Sequence, residues 1–324
     1  MKIAILPGDG IGKEVIPVAF DMLRLILPGA ELVQVDVGYE RFRREGKAMT
    51  EEDIDLVRSC DCVLFGAITT PPKRDYRSVI LTLRSELGLY ANIRPFKSSA
   101  ISPFKVDFTI YRENSEDLYL GLEDVTEDEV RSTRVITKKA SERIARMACK
   151  NPGLKKLTIV HKANVLKSCA LFRDCCIEVA EGLMVPYEEM LVDAMAYNLI
   201  RCPSRYDTIV TTNLFGDILS DEAAALIGGL GLSPSANIGD KYALFEPVHG
   251  SAPDIAGKDV ANPIAAVLST KMLLEWAGKR EEAEKVQRAV DTILQERIFT
   301  PDLGGIYKTS DVKHSLLKLI EAEI

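Results

Sequence analysis

The sequence predicts an α/β protein with a substantially parallel sheet, and three observations carry that prediction. Short apolar runs alternate with amphipathic helical stretches from the first residues onward. Glycine, proline and aspartate mark the breaks between them. The order strand, turn, helix recurs along the chain, which is the pattern of strands connected by crossover helices. Lys2–Leu6 is an apolar run closed by Pro7-Gly8-Asp9-Gly10-Ile11-Gly12, and a helical pattern follows over about 13–27. Leu32–Val37, an amphipathic stretch near 51–59 and the apolar Cys62–Phe65, ended by Gly66, continue the alternation. The loop at 69–75 is the clearest break in the first half, and Tyr76–Leu87 then reads as a helix.

Val106–Tyr111, Arg134–Thr137 and Leu157–His161 read as strands, with helices at about 138–150 and 163–182. Strand Thr208–Thr212 leads into a helix from about 214 to 227, stopped by Gly228-Gly229. Asn262-Pro263-Ile264 places an Asn at an N-cap and Pro in the first turn, and Gly278 falls where a C-cap belongs.

The composition narrows the function classes. At 324 residues the chain has about two domains' worth of sequence. Its 47% hydrophobic and 27% charged residues are those of a globular protein. No apolar run reaches the ~18 residues of a membrane span, and the apolar start is broken too early for a signal peptide, so the expected location is cytoplasmic and no membrane partner is expected. A net charge of −7, from 41 basic and 48 acidic residues, repels polyanions and argues against nucleic acid as a partner. Three scattered histidines and seven cysteines without a CxxC pair leave oxygen ligands, Lys, Tyr and Arg as the expected chemistry.

Five motifs can carry that chemistry. The turn Gly8-Asp9-Gly10-Ile11-Gly12 could cradle a phosphate, but its spacing is not the dinucleotide fingerprint, and a tight strand-to-helix turn explains it more simply. In Asn213–Glu222, Asp217 and Asp221 stand at i and i+4, so a helix puts both carboxylates on one face, ~5–6 Å apart at Cβ. Two hard oxygens at that spacing suit Mg²⁺ or Mn²⁺; an acidic, solvated first turn is the alternative. Arg84, Arg94 and Arg112 lie at element ends and could grip a polycarboxylate bidentately, or be ordinary surface charge. Lys162, at a strand end, and Tyr119 are candidates for proton transfer, since a lysine beside a divalent cation gives up its proton more readily. Glu246–Gly257, rich in turn formers and small side chains, suits close approach to a flat cofactor.

These blocks, together with Leu89–Pro95, Arg112–Tyr119 and Thr300–Gly305, occur in an order that resembles the β-decarboxylating dehydrogenases: isocitrate, 3-isopropylmalate, homoisocitrate and tartrate dehydrogenases. The resemblance spans essentially the whole chain. It implies an isopropylmalate dehydrogenase-like fold, not a Rossmann fold, with two α/β domains: a large cofactor-binding domain from both chain ends, 1–89 plus 229–324, and a small one, 90–228. It implies an NAD-dependent, Mg²⁺- or Mn²⁺-dependent enzyme, working as a homodimer with active sites shared between subunits, or as a tetramer. Carried over by motif, Arg84, Arg94 and Arg112 bind the carboxylates of a small polycarboxylate. Asp217 and Asp221 hold the metal with Asp193 of the neighbouring subunit. Lys162, directly or through a water, takes the hydroxyl proton, Tyr119 protonates the enol carbon, and Asn164 orients substrate and nicotinamide. Ile11, Asn164, Glu246, His249, Gly250, Ser251, Ala252, Asp254, Ile255 and Asn262 line the cofactor, with Asp254-Ile255 in place of the Lys-Tyr pair of NADP-using relatives.

Specificity is expected on the helix leading to Arg84. Arg77, Ile80, Leu81 and Arg84 are spaced i, i+3, i+4 and i+7, with Ser78 beside them. A basic and hydroxyl pair beside two aliphatic residues suits a methylene chain ending in a carboxylate, and the segment looks most like archaeal homoisocitrate dehydrogenases. The expected substrate is therefore homoisocitrate, with 3-isopropylmalate next and isocitrate or tartrate after it. A catalytically silent regulatory subunit would have lost some of Lys162, Tyr119, Asp217 or Asp221, and all four are present.

Overall fold

Residues Lys2–Gly8, almost all buried, form strand β1, and helix α1 (Gly12–Ile26) follows with Val15, Ile16, Ala19, Met22, Leu23 and Ile26 facing inward at helical spacing. The computed structural model describes residues 1–71 and 76–324, so the Pro72–Asp75 part of the loop expected at 69–75 lies outside the described residues. Strand β2 (Glu31–Gln34), helices α2 (Tyr39–Glu45) and α3 (Glu51–Arg58), strand β3 (Cys62–Ala67) and helix α4 (Val79–Glu86) come next. Thr50 and Asp53 form a reciprocal capping box at the start of α3. Helix α4 begins at Val79, later than the expected Tyr76. Tyr76 is instead buried edge-on against Tyr39 and Phe42, and Ser78 takes the N-cap of the helix in an extended conformation.

The next elements are strands β4 (Ala91–Lys97) and β5 (Asp107–Glu113), the hairpin β6 (Glu123–Val125) and β7 (Val130–Ser132), helix α5 (Lys138–Ala148), strand β8 (Leu157–His161), helix α6 (Lys167–Gly182), strand β9 (Tyr187–Leu191), helix α7 (Val192–Arg201), strand β10 (Thr208–Thr211) and helix α8 (Asn213–Ile227). Their sheet runs β4-β5-β10-β8-β9, parallel except for the β4–β5 pair. Two expectations are corrected here. Arg134–Thr137 is not a strand: Val135 gives its carbonyl to Asp117 N (2.9 Å), a single bond and no ladder. Helix α6 starts at Lys167 and not near 163, because Lys162 O already accepts from Val165 and Leu166 in a tight turn.

The chain closes with strands β11 (Pro234–Ile238) and β12 (Ala243–Pro247) and helices α9 (Ile264–Trp276), α10 (Arg280–Gln295) and α11 (Thr309–Glu321). Here the sheet order is β2-β1-β3-β12-β11, which differs from the dinucleotide-binding order, with β11 antiparallel. Pro263 takes the N-cap of α9, one position later than expected for Asn262, yet Asn262 Oδ1 still accepts from Ile264 N at 3.0 Å. Gly278 follows the C-cap of that helix with φ +75°.

Two compact units result. One is Met1–Leu89 with Ser99–Ser102 and Ile227–Ile324; the other is Tyr90–Ser98 with Pro103–Leu226. Ser99–Ser102 groups with the first because Ser102 Oγ donates to Ile227 O at 3.0 Å. The first unit's core gathers Ala4, Leu6, Val63, Phe65, Leu83 and Leu244; Ile159, Val160, Phe172, Cys176, Ile209 and Val210 are buried in the second. In the second unit, parallel strands β5, β8 and β10 end at Glu113, His161 and Thr211, so Arg112, Lys162 and Asn213 stand at the carboxyl ends of strands, where α/β sheets place ligands.

Candidate active site

In the second unit, Arg112 near the end of β5 is fully buried, and Nε donates to Asn213 Oδ1 at 2.9 Å. Its Nη1 bonds Asp217, and its guanidinium lies 5.0 Å from the Tyr119 ring centroid. Helix α8 can come this close because residue 216 is glycine: a Cβ there would stand 2.6 Å from Arg112 Cγ. Arg94, buried on β4, donates to Ser220 Oγ at 2.5 Å and lies 3.8 Å from Asp217 and 3.6 Å from Asp221. The Tyr119 hydroxyl donates to Asp217 Oδ2. Arg94, Arg112, Tyr119, Asp217 and Asp221 are thus brought together, with both carboxylates on one face of α8.

Partial burial, followed by the neighbouring Asp217 charge, pushes the Asp221 carboxyl above the usual carboxylate range, against the pull of Arg94 and Arg112. Two crowded carboxylates supplying only hard oxygens fit a divalent cation. Among the described residues no group of three His, Cys, Asp or Glu could hold a metal, so one chain supplies two of the three expected ligands together. The third, Asp193, stands at the start of α7 and pairs with Lys162, which holds its carboxyl below the usual range. Asn164 is exposed in the turn between β8 and α6. Next to Lys162, buried His161 accepts at Nδ1 from Ala163 N (3.1 Å), with Nε2 3.4 Å from Glu189. Burial lowers its pKa, helped by Arg173 and opposed by Glu189.

In the first unit, Arg84 lies near the end of α4 and reaches Glu246 at 3.2 Å; Glu246 also accepts from Asn237 at 2.7 Å. Arg77 is exposed and precedes α4, so the helical spacing that grouped it with Ile80, Leu81 and Arg84 applies only to the last three. Ser78 is buried beside Thr70 (3.2 Å), Ile80 packs partly on the core, and Leu81 is 37% exposed.

The glycine turn is consumed by packing. Asp9 is buried and accepts from Tyr39 N (2.8 Å), Glu40 N (2.9 Å) and Thr69 N (3.0 Å), capping α2. Gly10 has φ +55°, and a Cβ on it would stand 2.0 Å from Ser251 O. Ile11 N donates to that same carbonyl at 2.9 Å, which fixes residues 249–252 against the turn. Ser251 Oγ meets Thr69 Oγ1 at 2.7 Å, and Ala252 has φ +37°. His249 approaches Gly250 O through Nδ1 (3.0 Å), while its buried Nε2 has no hydrogen-bond partner. Burial lowers its pKa below the ordinary histidine value. A buried ring nitrogen without a hydrogen-bond partner, beside the small residues Gly250, Ser251 and Ala252, fits an adenosine moiety. Asp254 and Gly250 are exposed, Ile255 is half-buried, and Asn262 Nδ2 donates to Asp302 at 3.0 Å.

An α/β protein built of two such units, with arginines, a tyrosine and paired carboxylates at its strand ends, is of the class of decarboxylating dehydrogenases. The family model described as isocitrate/isopropylmalate dehydrogenase matches residues 2–316, and the chain belongs to that family. It is 46% identical to a homoisocitrate dehydrogenase of Methanocaldococcus jannaschii, over 100% of this chain and 99% of that one. It is equally 46% identical to a 3-isopropylmalate dehydrogenase of Methanothermobacter thermautotrophicus, over 99% of each chain. The crystal structure of an isocitrate dehydrogenase from Methylococcus capsulatus superposes with a TM-score of 0.95 at 39% identity, covering 99% of each chain. The fold class expected from the sequence is the one found.

Asp117, Arg134, Thr212 and Asn213 escaped the sequence reading as participants. The only signal was Asp117's place two residues before Tyr119, because the contacts that recruit the others join residues far apart in the chain.

Proposed function

We propose that this enzyme catalyses NAD-dependent oxidative β-decarboxylation of a malate derivative, with homoisocitrate, which yields 2-oxoadipate, as the favoured substrate. The observation that carries the reaction is the convergence of Tyr119, Asp217 and Asp221 with Arg94 and Arg112. Arg94 and Arg112, already bonded to carboxylates of their own chain, have the fork geometry to exchange these for substrate carboxylates. Arg84 serves a carboxylate in the same way. Asp217 and Asp221, with Asp193 of a second copy, would hold Mg²⁺ or Mn²⁺, which when bound polarises the substrate's hydroxyl oxygen. Ile11, Asn164, Glu246, His249–Ala252, Asp254, Ile255 and Asn262 would hold NAD, which would supply the hydride acceptor.

The chain's own residues move the protons. Lys162, once released from Asp193 and having given up its own proton to solvent, takes the hydroxyl proton, directly or through a water, as hydride leaves. The oxo acid that forms carries a carboxylate β to its ketone and loses CO₂. Tyr119 then delivers its proton to the enol carbon, and the adjacent Arg112 stabilises the tyrosinate. Asn164 orients the substrate and the nicotinamide. An exposed carboxylate at Asp254 accepts from ribose hydroxyls and repels a 2′-phosphate, which favours NAD.

Chain length and end group of the substrate are read by Arg77, Ser78, Ile80 and Leu81. An exposed cation beside a hydroxyl and an accessible aliphatic side chain suits a methylene chain ending in a carboxylate. The exposed Leu81 is what favours the second reading, 3-isopropylmalate, because methylene and isopropyl contacts differ by only ~1–3 kcal/mol. We also propose a homodimer, supported by exposed Tyr197 and Ile200 on α7, Ile218 on α8, and Val125 and Val130 on the hairpin.

NADH formation with Mg²⁺ should be measured on homoisocitrate, 3-isopropylmalate and isocitrate in parallel. The highest kcat/KM is expected for homoisocitrate, and Arg77→Glu should lower that value selectively. A higher kcat/KM for isopropylmalate, unaffected by Arg77→Glu, would overturn the substrate assignment.

A further inference from the structure

Asp117 is fully buried and holds φ at +77°, a conformation that L residues adopt rarely and Asn and Asp tolerate best. Its carboxylate is saturated. It accepts from Arg134 Nε at 2.7 Å, Arg134 Nη2 at 3.1 Å, Leu118 N at 2.9 Å and Leu214 N at 3.2 Å. Arg134 donates four bonds in turn: besides the two to Asp117, Nη2 donates to Thr212 Oγ1 (2.8 Å) and Nη1 to Cys169 Sγ (2.9 Å), and the guanidinium lies 5.0 Å from the Phe215 ring centroid. Asn213 Nδ2 donates to Glu116 O at 2.9 Å and reinforces the same junction. One ion pair therefore ties three pieces of chain: the turn that carries Tyr119 two residues on, the end of β10, and the first turn of α8, the helix that carries Asp217 and Asp221.

We propose that Asp117 and Arg134 are positioning residues that set the reach of the Tyr119 hydroxyl to Asp217. The inference rests on the proton-donor role given to Tyr119 above. A pair that only held the fold together could be replaced by neutral groups at no cost to turnover. Removing one buried charge alone strands the other, whereas removing both leaves no unpaired charge. The double substitution Asp117→Asn with Arg134→Met therefore separates stability from positioning, since Asn keeps the tolerance for positive φ.

The experiment compares the full-length parent enzyme with that double variant by three readouts: melting temperature, steady-state kinetics, and the ¹⁹F resonance of 3-fluorotyrosine placed at position 119. The expected result is a melting temperature close to the parent's, a kcat about 10²-fold lower with KM little changed, and a displaced or broadened ¹⁹F signal. A stable double variant with parental kcat and parental ¹⁹F shift overturns the proposal. If the double variant fails to fold, Arg134→Lys, which keeps the charge and loses the fork, is read by the same resonance with the same two outcomes. If the parent oxidises no malate derivative, the functional reading fails by itself, and the ¹⁹F comparison still decides whether this pair sets the position of Tyr119.

Discussion

Tyr119 donates its hydroxyl to Asp217 Oδ2 at 2.5 Å, and Arg112 both bonds that carboxylate and lies against the tyrosine ring. A proposed proton donor and a proposed metal ligand thus share one hydrogen bond, which a bound substrate would have to divide between them. Tyr119→Phe removes the donor and leaves the arginines and carboxylates in place. We expect kcat to fall about 10²–10⁴-fold, the usual weight of a general acid, with hydride transfer retained and the β-carboxylated oxo acid building up because its decarboxylation and the protonation of the resulting enol are slowed. Lys162→Met should stop NADH formation altogether. Rapid-quench analysis of NADH and oxo acid separates the two; equal loss of hydride transfer in both variants would sink the division of roles.

The chain brings Asp217 and Asp221 together while its own Asp193 lies on Lys162. If Asp193 completes a neighbouring copy's site, Asp193→Asn and Asp217→Asn chains, each inactive alone, should regain activity when unfolded and refolded together. A hybrid dimer then holds one intact site of two, so about half the parental activity per hybrid is expected. No recovery in demonstrably mixed dimers would place all three ligands within one chain.

Asp254 is the proposed handle on cofactor choice. Asp254→Lys replaces a carboxylate that repels a 2′-phosphate with a cation that attracts it. Each charge-assisted bond gained or lost is worth about 1–3 kcal/mol, so the NAD-to-NADP ratio of kcat/KM should drop at least about tenfold. An unchanged ratio would remove Asp254 from the cofactor site.

Stability should fall as the solution is acidified through the histidine range. Burial holds the pKa of both His161 and His249 below the ordinary value of 6.5. The unfolded chain then binds protons that the folded one refuses, so stability is full above pH ~6.5 and declines as pH drops toward the folded pKa values. Buried Glu113 and Glu116 act oppositely: burial raises their pKa, so the folded state favours their protonated form and they lose stability as pH rises above ~4.5. Melting temperatures measured across this range should decline less on acidification in His161→Gln than in the parent. An identical slope would show that His161 does not contribute.

Legibility along the chain followed the range of the forces involved. Helices such as α3 and α8 and strands such as β8 could be read because capping residues and apolar spacing act over a few residues. The exposed hairpin β6–β7 and the short helix α2 carry no strong periodic pattern. Helix α2 is capped by Asp9, a residue thirty positions away in sequence for Tyr39, so no local rule could find it. The glycine turn reads more simply as a tight strand-to-helix turn than as a phosphate cradle, and Gly10 is packed on the Ser251 carbonyl.

By itself the sequence determined the α/β class, the family, and the i, i+4 pairing of Asp217 with Asp221, because these depend on the alternation of apolar runs, on the resemblance of its motif blocks and on helical pitch. Only the tertiary structure decided that Arg94 and Arg112 flank those carboxylates, that Lys162 meets Asp193, that Arg77 stands ahead of α4, and that Asp117 and Arg134 lock the Tyr119 turn to α8. The physical reason is that each of these last relationships is a contact between residues distant in the chain or a helix start set by long-range packing. Sheet register and buried charge pairing fix such features, and neither leaves a periodic trace in the sequence.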